Sequence, residues 1–362
     1  MTTRHIIEPL AEAAQRALRA PSAFNSQPWR WRIDADVLEL HADRTRQLAV
    51  TDPDGRLLTL ACGAALHHAR VALAAAGYQT EVARFPDVTD ADLIARVRIT
   101  GRQDPDPHEV ALDGAIPYRR TDRRAFSEIA VPPAALDRLR EAVEAEGAYL
   151  HVVREDQMPM LAVATAQAAA AEVADPAYRD EVNRWTHRPP WTGDGVPASM
   201  AVRQVPRRVP VRDHALDGEA DLEPGVGNDR GAAYAVVFGA DDTPPSWLRA
   251  GEALSALLLT AVLEGLSAAP LSDAIELAWP RRLMRDLIAG VGDPYLVVRV
   301  GVGPNPGDLP PVPGGSRTTP SRSPARRRNP WDQPFSSGSA AAEVGRRSPG
   351  RSMRPPRPVA AW

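Results

Sequence analysis

The chain has 362 residues, 44% of them hydrophobic and 25% charged, with a net charge of −3 at pH 7. This length predicts about two domains with a real core, and the composition is ordinary for a soluble globular protein. All 43 basic residues are arginine, so any phosphate or carboxylate ligand must meet a guanidinium group. The single cysteine, Cys62, excludes an intramolecular disulfide and a multi-thiolate metal site.

The first elements along the chain are a predicted helix and a predicted hairpin. An amphipathic helix runs to about Arg19 and ends before Pro21, because the residue preceding a proline disfavours helix. This helix lacks the apolar core of a signal peptide, and we expect a cytoplasmic protein. The stretch "WRWRI" alternates apolar and polar residues, which indicates a half-buried strand, and "VLELHA" is its predicted partner.

A long helix from about Leu57 to Ala76 follows. It is the most apolar segment of the chain, but His67, His68 and Arg70 interrupt it, so we predict a buried helix and not a membrane span. Two strands, "QTEVARF" and "DLIARVRIT", come next. The Pro- and Asp-rich patch "GRQDPDPHEVALDG" is predicted to be a linker.

The second part of the chain begins at "AIPYRRTDRRAF". A helix over 133–146, a strand at "AYLHVV" and an Ala-rich helix from near Gln157 are predicted there. Residues 189–231 are rich in Pro and Gly and lack any period, which is typical of lids, binding loops or disorder. The strand "AAYAVVFG", the helix "WLRAGEALSALLLTAVLEGL", a short helix at "PRRLMRDLIAG" and the strand "YLVVRV" complete the order. Interleaved helices and strands predict an α+β layered fold.

The last segment, 314–362, has a different composition. It is rich in Pro, Ser, Gly and Arg, and ten arginines against Asp332 and Glu343 give it a charge of +8, which leaves −11 for the rest. It lacks the apolar residues needed to offset the entropy of ordering, so we predict disorder. Such a basic tail can bind nucleic acid or anionic membrane, but without a motif the favoured interpretation is non-specific charge attraction.

Common catalytic and metal-binding patterns are absent from the sequence. There is no His-x-x-x-His pair, and the adjacent His67 and His68 point to different faces of a helix, so no metal site is predicted. No G-x-S-x-G nucleophile motif occurs. The "GVGPNPG" at 301–307 follows a strand, but Pro304 and Pro306 block the helix that a dinucleotide fingerprint requires.

Two segments offer candidate binding residues. In "YRRTDRRAF" four arginines surround a threonine, which suits a phosphate monoester; the alternative is a solvated basic helix start with Asp122 as an internal partner. In "APSAFNSQPW" a stiff proline precedes Ser22 and Asn25, whose side chains suit the polar edge of a flat heterocycle. The alternative there is a helix end and turn, with Asn25 in a left-handed conformation and Trp29 in the core.

Three motifs carry a resemblance to a known family. "APSAFNSQPWRWRI" resembles the A-P-S-x-x-N-x-Q-P-W segment of the nitroreductase superfamily of FMN-dependent oxidoreductases. "RRTDRRAF" is similar to its Arg-rich FMN phosphate motif, and "EGLSAAPL" resembles its G-L-x-x-x-P turn. The division of these motifs between two halves of one chain resembles the Acg family, actinobacterial nitroreductase-like proteins in which the halves mimic a dimer. The resemblance covers about residues 5 to 313.

The resemblance implies a cofactor, FMN, and a set of residues around it. Pro21, Ser22 and Asn25 would contact the isoalloxazine ring from one half. Pro270, Leu271 and Ser272 would approach the N5 edge, where hydride arrives from NAD(P)H. The phosphate would be held from the second half by Arg119, Thr121 and Arg123, with Arg120 as a possible substitute. The flavin carries the electron chemistry, so no catalytic protein residue is expected.

The sequence departs from the family pattern at three places. Phe24 stands where these proteins often carry His, and Asp122 where Asn is common, which predicts a carboxylate near the phosphate with like-charge repulsion. After "GPNPGDLPPVP" the family continues with an Arg-rich segment, whereas this chain continues with "GGSRTTPSRS". One phosphate contact is therefore expected to be missing.

The resemblance implies a nitroreductase-like fold with two similar halves, 1–115 and 116–313, the second carrying a lid-like insertion at 189–231. The expected function is an NAD(P)H-dependent FMN oxidoreductase that reduces nitro-aromatic, quinone or similar flat acceptors. The alternative is a flavin-sequestering or flavin-sensing protein whose site is covered by a lid, with "DGVP" (194–197) at its inner edge. We expect a small-molecule acceptor as partner, no specific nucleic acid and no membrane, and either a monomeric pseudodimer or a homodimer.

Overall fold

Two antiparallel sheets with helices packed against them make up the part of the chain that the computed structural model describes. The described residues are 4–186, 188–216, 218–305, 309 and 321–322. The first sheet comes from residues before 103 and the second from residues after 148, apart from one short added strand. The predicted α+β class is confirmed.

The first sheet has the strand order β3-β4-β2-β1-β9. Its strands are β1 (Trp29–Asp34), β2 (Val37–Ala42), β3 (Tyr78–Arg84), β4 (Leu93–Arg102) and β9 (Ser321–Arg322). Trp29, Trp31 and Ile33 are buried in β1 while the arginines between them face outward, as the alternation predicts. β1 and β2 pair in the predicted hairpin, with Asp34 opposite Val37.

β9 holds the only described residues of the predicted disordered tail 314–362. Ser321 and Arg322 pair in parallel with Arg32 and Ile33 of β1, so the prediction of disorder is wrong for these two residues. The rest of that prediction, together with the missing Arg-rich segment, lies outside the described residues.

The second sheet has the strand order β5-β6-β8-β7, all antiparallel. Its strands are β5 (Tyr149–Val152), β6 (Ala233–Gly239), β7 (Ser267–Leu271) and β8 (Asp293–Gly301). β7 lies within "EGLSAAPL", which the motif comparison treats as a turn; its small residues carry no alternation that would predict a strand. Because β7 pairs only with β8 among the described strands, Pro270 is accommodated at the sheet edge.

Nine α-helices occur among the described residues: α1 (Arg4–Ala17), α2 (Arg56–Ala75), α3 (Pro107–Ala115), α4 (Pro133–Ala145), α5 (Met158–Ala174), α6 (Pro176–Thr186), α7 (Pro244–Leu263), α8 (Asp273–Glu276) and α9 (Ala278–Leu287). The predictions for α1, α2, α4, α5, α7 and α9 are confirmed within a few residues. α6 and α8 were not predicted.

The predicted linker "GRQDPDPHEVALDG" is wrong over its second half. Pro107–Ala115 forms α3, with Asp106 capping the helix by accepting a hydrogen bond from the His108 N–H at 2.9 Å. Proline in the first helical turn costs little, because its missing N–H would have no helical partner there. The Asp-Pro pair is therefore a helix start and not a break.

α2 and α7 form the centre of the protein and cross at two glycines. A Cβ atom on Gly63 would lie 2.0 Å from the Leu248 carbonyl oxygen, and one on Gly251 would lie 1.9 Å from the Leu60 carbonyl oxygen. The two backbones therefore approach more closely than any other residue type permits. By length and composition both helices could cross a membrane, but 83% of the α2 window and 72% of the α7 window is buried inside the protein. The prediction of a buried helix at 57–76 is confirmed.

A buried carboxylate ties this helix pair to the first sheet. Glu252 of α7 is fully buried and accepts hydrogen bonds from Arg70 of α2 at 2.7 Å and from Arg84 of β3 at 2.8 Å. Removing one partner of a buried ion pair leaves an uncompensated charge, which is costly. Any arrangement of α2, α7 and β3 that separates these side chains is therefore disfavoured.

Replacing Gly63 with alanine is expected to destabilise the protein by about 2–3 kcal/mol, because the added methyl group must push two helix backbones apart. The measurement is the midpoint of urea unfolding. Gly114→Ala is the matched control: a Cβ there meets no atom within 4 Å, and alanine is the better helix former, so its stability should stay level or rise by up to about 1 kcal/mol. Equal midpoints for Gly63→Ala and the unaltered protein would contradict the close crossing.

Candidate functional site

Two adjoining clefts lie beside the α2–α7 pair. The apolar cleft has about 810 Å³ of unfilled space, part of it open to solvent, and its walls come from several elements: the 21–24 turn, Leu57, Leu60 and Ala61 of α2, Leu254 of α7, Ala269–Leu271 of β7 and Leu296 of β8. The arginine cleft has about 570 Å³ and includes Asn25, Arg119, Arg120, Val196 and Met200. Pro21, Ser22, Thr121 and Arg123 line both clefts, which makes them one continuous site.

The structure brings all the residues singled out from the sequence to these clefts. The ten are Pro21, Ser22, Asn25, Arg119, Arg120, Thr121, Arg123, Pro270, Leu271 and Ser272. They come from three separate segments of the chain, and the fold alone unites them. Their roles toward a cofactor stay predictions.

The 21–27 segment is a tight turn held by its own side chains. Phe24, Asn25 and Gln27 have positive φ angles of 49°, 52° and 50°, which asparagine tolerates better than phenylalanine. The Gln27 N–H donates to Ser22 Oγ at 2.9 Å, and Gln27 Nε2 donates to Asn25 Oδ1 at 3.3 Å. The left-handed Asn25 that the turn interpretation required is present.

Asn25 also connects this turn to the predicted lid segment. Its Nδ2 donates to the Gly195 carbonyl at 3.2 Å, and the Gly195 N–H donates to the Asn25 carbonyl at 3.2 Å. Gln27 Nε2 reaches the Gly193 carbonyl at 2.7 Å. Both polar atoms of the Asn25 side-chain amide are thus hydrogen-bonded within the protein. These bonds hold the loop at the rim of the arginine cleft.

The arginine segment is pinned against the edge strand β7 and is not the start of a helix. Thr121 forms an isolated bridge to Ala268, and the Asp122 N–H donates to the Ala268 carbonyl at 3.0 Å. Successive side chains therefore alternate in direction. Thr121 and Arg123 line the clefts, while Asp122 and Arg124 are buried on the opposite side.

The expected repulsion by Asp122 is wrong, because its charge is compensated internally. Arg124 donates from Nε to Asp122 Oδ1 at 3.0 Å and from Nη2 to Oδ2 at 2.8 Å. A bidentate pair of this kind neutralises the carboxylate next to the cleft. Asp122 is the internal partner that the alternative interpretation of this segment proposed.

A fully buried arginine, Arg299 of β8, fixes the arginine segment from behind. Its Nη2 donates to the carbonyls of Asp122 and Arg124, both at 2.9 Å, and its Nη1 contacts both oxygens of Asp229 at 2.8 Å. Asp229 in turn accepts from the Phe126 N–H at 2.7 Å. Arg299 was not among the residues predicted to form the site, although a single arginine within the apolar strand "YLVVRV" indicates a buried cation with a structural task.

Two guanidinium groups at the site have unused hydrogen-bond donors. Arg119 donates from Nη2 to the Arg19 carbonyl at 3.1 Å, but its buried Nε and Nη1 have no partner among the described residues. Within the same residues no hydrogen bond or ion pair reaches Arg123, and the Thr121 hydroxyl makes no side-chain bond. Burial, together with a neighbouring arginine, lowers the pKa of Arg119 to about 10 and that of Arg123 to about 10.

Both groups nevertheless remain charged at neutral pH. A buried cation without a partner is costly, and an anion that accepts its N–H groups offsets that cost. The site therefore combines an apolar cleft with two underused cations and a free hydroxyl. This fits a ligand with a flat apolar ring system and a compact anionic group.

The predicted lid segment 189–231 supplies one wall of both clefts. Gly195, Val196 and Pro197 line the arginine cleft, as expected for "DGVP", and Val211, Arg212 and His214 line the apolar cleft. Asp194 is the anchor of this wall: it pairs with Arg46 and with Arg188, whose Nε lies 2.5 Å from Asp194 Oδ1. Both arginines lie over the Trp185 ring, at 5.7 Å and 4.9 Å from its centroid.

The far end of the apolar cleft carries a group of acidic residues. Ser272 ends the β7 edge, and α8 follows with Asp273 and Glu276, which together with Glu172 of α5 surround Arg212. In the described part of the chain this is the one group of three carboxylates whose ligand atoms lie within 4.8 Å of one another. Arg212 supplies positive charge there, and the sequence analysis did not connect these four residues.

Replacing Asp194 with asparagine is expected to loosen the cleft wall. The substitution keeps the size but removes the charge that Arg46 and Arg188 share, and charge-assisted bonds are worth roughly 1.5–3 kcal/mol. Amide hydrogen exchange over 193–197, followed by mass spectrometry, should accelerate about tenfold or more. Asp137→Asn, at an exposed pair with Arg140, is the control and should leave this exchange unchanged. An unaltered rate of amide exchange in the Asp194 variant would contradict the role of Asp194 in holding the cleft wall.

Comparison with known proteins gives relatives over most of the chain. No family model matches. "Putative NAD(P)H nitroreductase Rv3131" of Mycobacterium tuberculosis is 40% identical over 301 residues, which is 82% of this chain and 86% of that protein. "Putative NAD(P)H nitroreductase acg" of the same species is 36% identical over 315 residues, 86% of this chain and 93% of that protein.

Solved structures give more distant likenesses. A nitroreductase with bound FMN from Bacteroides fragilis has a TM-score of 0.32 at 13% identity and covers 53% of this chain and 88% of that chain. The FMN-dependent nitroreductase NfnB from Mycobacterium smegmatis, in complex with NADPH, has a TM-score of 0.30 at 17% identity and covers 61% and 99%. At these scores the overlays support no inference about the site. The sequence relatives decide the assignment: the chain belongs to the Acg family of nitroreductase-like proteins.

Proposed function

We propose that this protein is an FMN-dependent oxidoreductase that takes hydride from NAD(P)H and reduces nitro-aromatic, quinone or similar flat acceptors. The observation that carries the proposal is the pair of guanidinium groups, Arg119 and Arg123, that lack a counter-ion among the described residues and lie beside a deep apolar cleft. The family supports it, because relatives at 36–40% identity bear the name NAD(P)H nitroreductase.

Different residues of the site would contact different parts of FMN. Arg119 and Arg123 would bind the phosphate with the Thr121 hydroxyl, and Arg120 would add charge at the rim of the arginine cleft. Pro21, Ser22 and the backbone around Pro270, Leu271 and Ser272 would lie on the ring side. Bound FMN would supply the hydride-transfer chemistry, and the protein would bind, orient and shield it.

We further propose that one chain completes one site. Residues 1–115 would act as one nitroreductase-like half, and residues 116–313, with the insertion 189–231, as the other. Pro21 and Ser22 come from the first range, and Thr121 and Arg123 come from the second, yet the four share both clefts. A single-chain pseudodimer needs no partner subunit to build the site, although a homodimer is compatible with it. We also propose that the protein acts in the cytoplasm.

The direct test is anaerobic reduction of the purified protein reconstituted with FMN. We expect yellow protein with raised thermal stability, because a ligand that binds only the folded state stabilises it. The flavin absorbance should bleach on addition of NADH or NADPH and return on addition of a quinone. Protein that stays colourless and gains no stability from FMN would eliminate the proposal.

A flavin-sequestering protein without turnover is the second candidate. It is favoured by one observation, the lid segment that lines both clefts and is fastened by Asn25 and Asp194. A wall fastened in this way would keep an acceptor away from the ring. Bound FMN that remains oxidised under excess NAD(P)H would establish this candidate, and rapid bleaching would exclude it.

The two clefts are proposed to bind different parts of FMN, so substitutions in each should affect flavin affinity differently. Replacing Arg119 and Arg123 together with glutamine should weaken FMN binding about 100-fold or more, since each of the two charge-assisted bonds is worth roughly 1.5–3 kcal/mol. Riboflavin has no phosphate, so its affinity should hardly change, and the preference for FMN over riboflavin should collapse. Fluorescence titration measures both constants.

Two controls make that titration specific. Arg138→Gln removes an arginine that pairs with Glu264 away from the clefts, and it should leave both affinities unchanged. Ser22→Ala should weaken FMN and riboflavin to a similar extent, because the Ser22 hydroxyl holds the turn that is proposed to contact the ring common to both ligands. A preserved FMN preference in the double arginine variant would contradict the phosphate assignment.

A further inference from the structure

Arg212 joins three carboxylates from two helices at the end of the apolar cleft. Its Nη2 lies 2.7 Å from Glu276 Oε2 and 3.8 Å from Glu172 Oε1, and it also pairs with Asp273 Oδ1. Glu172 belongs to α5, Asp273 and Glu276 belong to α8, and Arg212 comes from the lid segment. We call these four residues the acid cluster.

The acid cluster has more negative than positive charge and is almost inaccessible to solvent. Arg212 is 8% exposed, Glu172 5% and Asp273 2%, and the Glu276 side chain is 2% exposed. Three carboxylates face one guanidinium, and one oxygen of each has no hydrogen-bond partner among the described residues: Glu172 Oε1, Asp273 Oδ2 and Glu276 Oε1. Like charges this close in a buried site oppose one another's ionisation, so the arrangement favours a proton shared within the cluster at neutral pH.

Further charged groups of both signs lie around the cluster. Arg281 donates from Nη2 to the Glu276 carbonyl at 3.0 Å, and Arg56 and Asp52 line a small pocket together with Glu276 and Arg281. Tyr178 of α6 has a buried hydroxyl without a hydrogen-bond partner among the described residues, and its ring centroid lies 5.9 Å from Arg212 Cζ. Arg123 and His214 lie on the cleft side of Arg212, and Asp52 lies beyond Glu276. Burial, followed by the neighbouring carboxylates, raises the pKa of Glu172 to about 9 despite Arg212, and burial likewise raises the pKa of Asp273.

Asp273 connects the acid cluster to the apolar cleft. It lines the cleft directly after Ser272, at the edge where the proposed function places the reactive part of the cofactor. The other ionisable groups on the described cleft wall are Arg123, Arg212 and His214. Burial, then Arg123 and Arg212, lowers the pKa of His214 well below its usual range, so it stays neutral, and arginine is too weak an acid to give up a proton. Asp273 is therefore the one acid on this wall suited to proton donation.

We propose that the acid cluster stores a proton and that Asp273 Oδ2 donates it to the acceptor as the acceptor is reduced. This inference rests on the proposed function. A quinone takes up an electron pair with the hydride that NAD(P)H supplies through the cofactor. Its oxygen then forms an O–H bond as the O–H bond of Asp273 breaks. Oδ1 stays bound to Arg212 throughout, and solvent returns the proton through Glu172 and Glu276.

The proton requirement of the acceptor provides the test. In Asp273→Asn the reoxidation of reduced protein by p-benzoquinone should slow about 100-fold, the usual range for a lost general acid being roughly 10²–10⁴. Reoxidation by ferricyanide, which takes electrons and no proton, should stay within about twofold. Bleaching by NAD(P)H should be unchanged. Asp113→Asn, a carboxylate paired with Arg16 away from the clefts, is the matched control and should alter none of these rates.

Two results would overturn the inference while leaving the proposed function intact. One is equal slowing with both acceptors, which marks a structural role for Asp273. The other is undiminished reoxidation by the quinone. If the unaltered protein fails to bind flavin, the proposed function fails first, and the two failures are thereby distinguished.

A measurement without flavin tests the stored proton itself. The infrared difference spectrum between neutral and alkaline pH should show the carbonyl band of a protonated carboxyl group, lost on the alkaline side. Glu172→Gln removes the carboxyl group with the most raised pKa and should abolish that band, and Asp113→Asn should keep it. No such band in the unaltered protein at neutral pH would overturn the proposal even if the Asp273 variant does not fold.

Discussion

The close crossing of α2 and α7 is the constraint on which the rest of the structure depends. Gly63 and Gly251 let the two backbones meet, since a Cβ atom on either glycine would lie within 2.0 Å of a carbonyl oxygen of the opposite helix. One helix packs on the first sheet and the other on the second, so this contact determines how the layers meet. Leu57 and Leu60 from α2 and Leu254 from α7 then form the floor of the apolar cleft. The glycine crossing thus lies beneath the functional site.

The walls of the clefts above this floor carry charged side chains with few counter-ions or hydrogen-bond partners among the described residues. Among the described residues, Arg119 keeps two buried donors without hydrogen-bond partners, and the acid cluster keeps three carboxylate oxygens without hydrogen-bond partners. Each unpaired buried group costs free energy, and clusters of such groups beside a cleft are typical of functional sites. The carboxylates of the internal pairs, Asp122 with Arg124 and Asp229 with Arg299, are bound through both of their oxygens. These pairs hold the arginine segment in place.

Much of the site could be predicted from local sequence because its motifs are contiguous. "APSAFNSQPW" and "RRTDRRAF" each have a distinctive pattern, and the structure puts their residues in the same clefts. The role of Asn25 as a tether for Gly195 could not be predicted, because the loop it binds lies in a region without period. Likewise, α3 was not predicted because its segment is rich in proline, and β7 was not predicted because its residues are small. Neither segment has the hydrophobic periodicity from which helices and strands are predicted. The acid cluster depends on contacts between segments distant in sequence, which no local pattern reports.

The bridge between Thr121 and Ala268 has a consequence for which sequence changes this chain can tolerate. On either side of that bridge, cleft-lining and buried residues alternate one by one: Thr121 and Arg123 face the ligand space, and Asp122 and Arg124 do not. A deletion or insertion of one residue here would exchange the two sets. It would turn a carboxylate toward the anion position and push an unpaired guanidinium into the core. This segment should therefore tolerate substitutions better than changes in length.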